Sequence, residues 1–264
     1  MQLKQIEKRS RVKKEEVVAQ SSTSPEIDVN ELSDAMKLPS KFLPYPKNCS
    51  IKFRPYTFGE IKVYNQSKLN AIDNIKFVLK GITCSFDSLL LTVSDFLYIG
   101  LLRRLATFGG SKFSLAHICK HCKERQTELF DNSSIEFQDI IAPALPARVN
   151  LSVGKLEFTP ITLKDYIFIL EENKQSDDIA LMAVQCRNKP FDEAYELIYN
   201  LSSTEGAIID KVDKSLYHSI KPLIFKCSKC GEKNSIAVEG GTALIYPFRD
   251  EREKPIEDVI HFGL

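Results

Sequence analysis

The sequence predicts an α+β protein, mainly helical, with a β-hairpin, a flexible N-terminal leader and a ribbon split between two cysteine knuckles. Three observations carry this. Apolar residues recur at three-four spacing behind capping signals in several stretches. Val149, Leu151 and Val153 alternate up to Gly154-Lys155, with Leu156 and Phe158 beyond, which is the pattern of a hairpin. Two Cys-x-x-Cys segments, Cys119 to Cys122 and Cys227 to Cys230, each lie between short β-compatible runs.

Composition sets the bounds. The chain has 264 residues, 43% apolar and 27% charged, enough for one large domain or two small ones. Thirty-six Lys and Arg face thirty-five Asp and Glu, so global charge gives no argument for nucleic-acid or anionic-membrane binding. Met1 to Gln20 is charged and has no apolar centre of a secretory signal. The most apolar stretch, Phe86 to Leu102, is broken by Asp87 and Asp95, so no membrane span is expected. A soluble protein in a reducing compartment follows, where paired cysteines point to metal before disulfide.

The elements follow in order. Residues 1–36 read as a disordered leader, basic from Lys4 to Lys14 and then acidic. Residues 37–248 read as one α+β domain. Its first part, 37–58, contains Pro39, Pro44, Pro46 and Pro55, which excludes a helix interior; Ser50 to Tyr56 reads as a strand. Thr57 to Glu60 is a capping box, and Ile61, Tyr64, Lys68, Ile72, Ile75 and Leu79 predict one amphipathic helix behind it. A second helix starts near Thr92, is apolar on most sides and therefore buried, and ends at Gly109-Gly110. After the 147–162 hairpin come four helical stretches. Thr162 with Asp165 caps the first; Ile179 to Cys186 and Phe191 to Ile198 mark the next two. Ser202 with Glu205 caps the last, whose stripe is Ile208, Val212, Leu216 and Ile220, with Pro222 as its stop. Hairpin and helices make residues 138–222 an insertion between the knuckles, and 249–264 a C-terminal tail.

The knuckles are His117-Ile118-Cys119-Lys120-His121-Cys122-Lys123-Glu124 and Phe225-Lys226-Cys227-Ser228-Lys229-Cys230-Gly231-Glu232. Two thiolates two residues apart reach one metal through a tight turn, and two such turns complete a tetrahedral Cys₄ zinc shell. Cys119, Cys122, Cys227 and Cys230 are thus the expected ligands of one structural zinc. The long separation of the pairs departs from ordinary ribbons, which space them by roughly 15–20 residues, so the ribbon must be split. Three other readings stay open: metal-free pairs, a redox pair, and His117 or His121 replacing one cysteine. Cys49, Cys84 and Cys186 read as small buried hydrophobes.

Catalytic signatures are missing. There is no P-loop, no dinucleotide fingerprint, no Gly-x-Ser-x-Gly elbow and no His-Glu-x-x-His. No catalytic or cofactor-binding residue is assigned, and a non-enzymatic role is expected.

The run Leu38-Pro39-Ser40-Lys41-Phe42-Leu43-Pro44-Tyr45-Pro46, followed by Phe53-Arg54-Pro55-Tyr56-Thr57-Phe58-Gly59-Glu60-Ile61, resembles the opening of the T4-type phage baseplate hub assembly family. The pattern continues through Ser94-Asp95-Phe96-Leu97, a Cys-x-x-Cys, a helical insertion and a second Cys-x-x-Cys-Gly, over about residues 38–248. The resemblance implies a part in building the contractile-tail baseplate through contacts with hub or other tail proteins. It implies the host cytoplasm during assembly as a location, and leaves open whether the chain stays in the virion tail baseplate or acts transiently. The leader and the Pro/aromatic segment 38–58 are the expected contact regions, although 38–58 serves equally as a packed strand. The competing reading is a zinc-ribbon nucleic-acid module, for which Lys120, Lys123, Arg125, Lys226, Lys229 and Lys233 would supply a basic rim.

Overall fold

The computed structural model describes residues 25–32, 38–108, 112–131, 135–136, 138, 140–216 and 221–236. Its first layer is a small antiparallel sheet in the order β1 (Ile27–Asp28), β2 (Ile51–Phe53), β3 (Ile82–Cys84), with Ile27 opposite Phe53 and Phe53 opposite Ile82. β1 and the 3₁₀ turn Val29–Glu31 fall in the stretch expected as leader. They belong to the fold instead: Asp28 caps the turn by accepting from Asn30 N at 2.9 Å, and Val29 is fully buried. A two-residue strand carries no periodicity, so nothing in the sequence announces it. The remaining leader and the 249–264 tail lie outside the described residues.

Segment 38–58 is a packed, turn-rich strap and not an extended docking arm. Backbone hydrogen bonds close turns from Lys41 to Leu38, Leu43 to Ser40, Tyr45 to Phe42 and Cys49 to Pro46. Leu38, Tyr45, Ile51, Phe53 and Tyr56 enter the main core. Asp95 anchors the strap. Its buried carboxylate accepts from Ser40 N at 3.0 Å and Tyr45 Oη at 2.5 Å, and the same hydroxyl accepts from Thr92 N at 3.0 Å.

The helix expected from Ile61 to Leu79 is two helices, α1 (Phe58–Gln66) and α2 (Ala71–Leu79). Ser67 ends the first, and Asn70 caps the second by accepting from Asp73 N at 2.8 Å. Lys68 preserves the apolar spacing across the gap, which hides the break. The Thr57–Glu60 capping box is present as expected. α3 (Val93–Phe108) is the buried helix, with Phe96, Tyr98, Ile99, Leu101 and Leu102 all in the core. Its expected stop, Gly109-Gly110, lies outside the described residues.

The motif Phe53–Ile61 is an ion network. Arg54 and Glu60 form a bidentate pair at 2.9 and 2.7 Å. Arg103, from α3, reaches the same carboxylate at 3.2 Å and donates to Arg54 O at 2.8 Å and Val78 O at 2.7 Å. Its guanidinium lies 3.8 Å from the Tyr56 ring centroid, and its side chain is fully buried. Gly81 makes room for it: a Cβ there would stand 2.1 Å from Arg103 Cζ.

The hairpin is β6 (Ala147–Leu151) and β7 (Gly154–Phe158). Its turn is Ser152-Val153, two residues earlier than expected, because Gly154 pairs with Leu151 and takes φ +111°. The four helices appear as α4 (Leu163–Glu171), α5 (Asp178–Gln185), α6 (Phe191–Tyr199) and α7 (Ser203–Leu216). Both expected caps form, Thr162 with Asp165 and Ser202 with Glu205. On α7 the expected stripe holds at Val212 and Leu216, but at its start Ile209 is buried in place of the exposed Ile208. Ile220 lies outside the described residues.

This insertion has its own apolar cluster, including Leu156, Phe158, Ala183, Ala194, Ile198, Ile209 and Leu216. α4 ties it to the main core. Leu163 and Tyr166 join that core, and Leu163 N donates to Leu91 O at 2.8 Å.

Candidate metal centre

β4 (Lys112–Ile118) and β5 (Arg125–Asp131) form one hairpin, β8 (Leu223–Lys226) and β9 (Lys233–Ile236) another. They are two separate two-stranded sheets, so the expected ribbon is not one continuous sheet. Their turns are the two knuckles, and these share one geometry. Cys119 N donates to Glu124 O and Cys227 N to Glu232 O, both at 2.9 Å; Lys123 N donates to Cys119 O at 3.0 Å and Gly231 N to Cys227 O at 2.9 Å. Lys123 (φ +61°) and Gly231 (φ +75°) occupy the same left-handed position.

That position yields a paired prediction. Nothing lies within 4 Å of a Cβ built on Gly231, so only backbone conformation resists a side chain there. Gly231→Val should cost about 1–2 kcal/mol, while Lys123→Gly should be neutral or stabilise by up to about 1 kcal/mol. Urea unfolding midpoints decide; a Gly231→Val midpoint equal to the parent's would contradict the shared-turn geometry.

The knuckles meet across more than a hundred residues. The sulfurs of Cys119, Cys122, Cys227 and Cys230 all lie within 4.8 Å of one another. Cys119 Sγ is 3.8 Å from Cys230 Sγ, and Cys122 Sγ 3.6 Å from Cys227 Sγ, so neither pair is a disulfide. Those spacings suit a metal. A tetrahedron with Zn–S near ~2.3 Å has edges near ~3.8 Å. Among the described residues, the group contains cysteines alone. His117 lies on the inner face of its hairpin, its ring 4.1 Å from Phe225 and its nitrogens without partners; His121 is exposed.

Hydrogen bonding already distinguishes the thiols. The backbone N–H of Cys122, then that of His121 and the Asn234 amide, hold Cys119 down at about 6. The N–H groups of Cys230 and Lys229 likewise lower Cys227. For Cys230 the N–H of Glu232 pulls down, but burial and contacts with Cys227, Cys119 and Cys122 push it up to about 12. Cys122 is also raised, burial and contacts with Cys227 and Cys119 outweighing the N–H of Glu124. In each knuckle the first cysteine is therefore lowered and the second raised. Coordination to a divalent metal would deprotonate all four.

Two further residues belong to the site. Gln126 Nε2 donates to Cys227 Sγ at 3.0 Å, and Asn234 Nδ2 to Cys119 Sγ at 3.4 Å. Neither is legible as functional from its type; the signal is position, since each stands seven residues beyond the first cysteine of its own knuckle (126 − 119 and 234 − 227). Among the rim cations, Lys229 pairs with Glu124. The remaining cysteines are elsewhere: burial raises the thiols of Cys49 and Cys186 and pushes Cys84 up to about 12, against any nucleophilic role.

Fold and junction together define an α+β protein in which four close-set thiols bring together two hairpins that flank a helical stretch in the sequence. The model of the T4 bacteriophage base plate protein family matches residues 24–245, and the chain belongs to that family. The match begins earlier than the 38–248 resemblance and so takes in β1, which pairs with β2. No curated protein and no solved structure matches the chain.

Proposed function

We propose that this chain is a non-enzymatic component of the phage tail baseplate that acts through contacts with hub or other tail proteins and is stabilised by one zinc. The family match over residues 24–245 carries the baseplate role. The convergence of four thiols supports the metal, with Cys119, Cys122, Cys227 and Cys230 as its ligands. A four-coordinate Cys₄ zinc has no open position, and what it supplies when bound is cross-linking of the hairpins. The host cytoplasm during assembly, and afterwards the virion baseplate, are the sites of action.

Packing of segment 38–58 into the core removes it as a free arm. Residues 1–24, upstream of β1, remain the contact region that the charge pattern suggests. Affinity capture of the tagged chain from infected cells should recover tail proteins. Removing residues 1–24 should leave the melting curve and zinc content unchanged while lowering that recovery several-fold. Full recovery would move the contact to exposed apolar side chains such as Phe58, Val63, Ile118, Leu129 and Ile224. Salt-sensitive recovery of nucleic acid, with no tail protein, would overturn the baseplate-contact reading in favour of a nucleic-acid module.

A further inference from the structure

We infer that Gln126 and Asn234 are positioning residues for the metal: a reciprocal amide clasp that holds the two knuckles in their ligating arrangement. The inference rests on the metal reading above and concerns how the site is assembled.

The two hairpins are related by an exchange. Seven residues beyond the first cysteine, Gln126 stands opposite His117 across its hairpin, and Asn234 opposite Phe225. Those two rings then pack edge to face, 4.1 Å apart, between the hairpins. Each amide crosses to the other knuckle and makes the same two bonds there. Gln126 donates to Cys227 Sγ at 3.0 Å and accepts from the next backbone N–H, Ser228 N, at 3.2 Å. Asn234 donates to Cys119 Sγ at 3.4 Å and accepts from the next backbone N–H, Lys120 N, at 2.9 Å. The sulfur contacts follow the same rule, the first cysteine of each knuckle meeting the second of the other. Two hairpins far apart in sequence thus repeat one bonding scheme, as a local two-fold axis through the sulfur cluster would produce.

A primary amide suits this task. It carries an N–H donor and a carbonyl acceptor side by side, matching a thiolate followed by a backbone N–H; a carboxylate has no donor for sulfur, and an apolar side chain has neither. Asn234 is buried, so its bonds compete little with water. Groups that fix the orientation of metal ligands typically govern affinity by 10–100-fold. With the clasp closed, less of the binding free energy is spent on ordering two hairpins when metal arrives.

The test uses the full chain with Zn²⁺ and Co²⁺ as probes. The parent protein should take up one equivalent, measured by competition with a chromogenic chelator. Gln126→Leu and Asn234→Leu should each bind about 10–100-fold more weakly. Gln126→Glu keeps the shape and the acceptor for Ser228 N while losing the donor to sulfur, so it decides the matter if a leucine variant misfolds; it should bind more weakly too. In the Co²⁺ form, losing an N–H to sulfur should shift the thiolate-to-metal absorption to longer wavelength, which a merely structural change would not do. Ser235→Ala, on the outer face, should match the parent. A parent that takes up no metal would overturn the metal reading and this inference with it. Normal uptake by the parent, with Gln126→Glu unchanged in affinity and spectrum, would overturn the clasp alone.

Discussion

Cys227→Ser is expected to destabilise the protein by several kcal/mol, the largest effect of any single substitution in the junction. Free energy released on binding structural zinc is folding free energy, because the unfolded chain holds no preformed site. The serine also removes the sulfur that accepts from Gln126 and from Cys230 N. For a chain of this size each kcal/mol corresponds to about 2–4 °C, so the thermal midpoint should fall by roughly 10 °C. A strong chelator should lower the parent protein to nearly the same midpoint and leave the variant little changed. A parent melting curve indifferent to both treatments would contradict a structural metal.

Glu60→Ala should cost about 3–5 kcal/mol, because it leaves the fully buried Arg103 guanidinium without its carboxylate. The same residue predicts a pH dependence. Burial alone would raise the Glu60 carboxyl, but hydrogen bonds from Arg54 and Thr57 N and the charges of Arg103 and Arg54 outweigh it. They hold the group at about 2, below its ordinary 4.5. A depressed carboxyl contributes its stabilisation in full above about pH 4.5, and that contribution is lost as pH falls through about 2. Urea unfolding of the parent should therefore show stability falling over this window, and Glu60→Ala should show a shallower fall. Equal slopes for the two proteins would contradict the assignment.

The sequence makes some of this legible and hides the rest for definite reasons. Capping boxes survive from sequence to structure because they are local: Thr57 with Glu60 and Thr162 with Asp165 need only one helical turn to form. The cysteine pairs are equally readable, since two-residue spacing already places two thiols in one tight turn, and the four sulfurs do come together. Gln126 and Asn234 are not. Their role depends on hairpin register and on the docking of two hairpins, and a lone amide in a strand advertises neither. Ile27 and the turn after it fail for a similar reason: Ile27 pairs with Phe53 and Asn30 donates to Cys49 O, too far along the chain for any periodicity to show. The strap 38–58 shows the opposite failure. Its prolines correctly exclude helix, but the buried carboxylate of Asp95 that pins Ser40 and Tyr45 lies 55 and 50 residues away.

The separation of the knuckles also sets a clock. During synthesis the first pair of thiols leaves the ribosome while the second has yet to be made, the partners Cys119 and Cys230 being 111 residues apart. At about 5–20 residues per second that interval is on the order of 5–20 s. Throughout it Cys119 and Cys122 form only half of the four-thiol cluster and must wait for the intervening lobe. The junction is therefore a late event that records completion of the lobe: a chain stalled or cleaved between the knuckles never closes it, and keeps a two-thiol turn open to oxidants and competing metals.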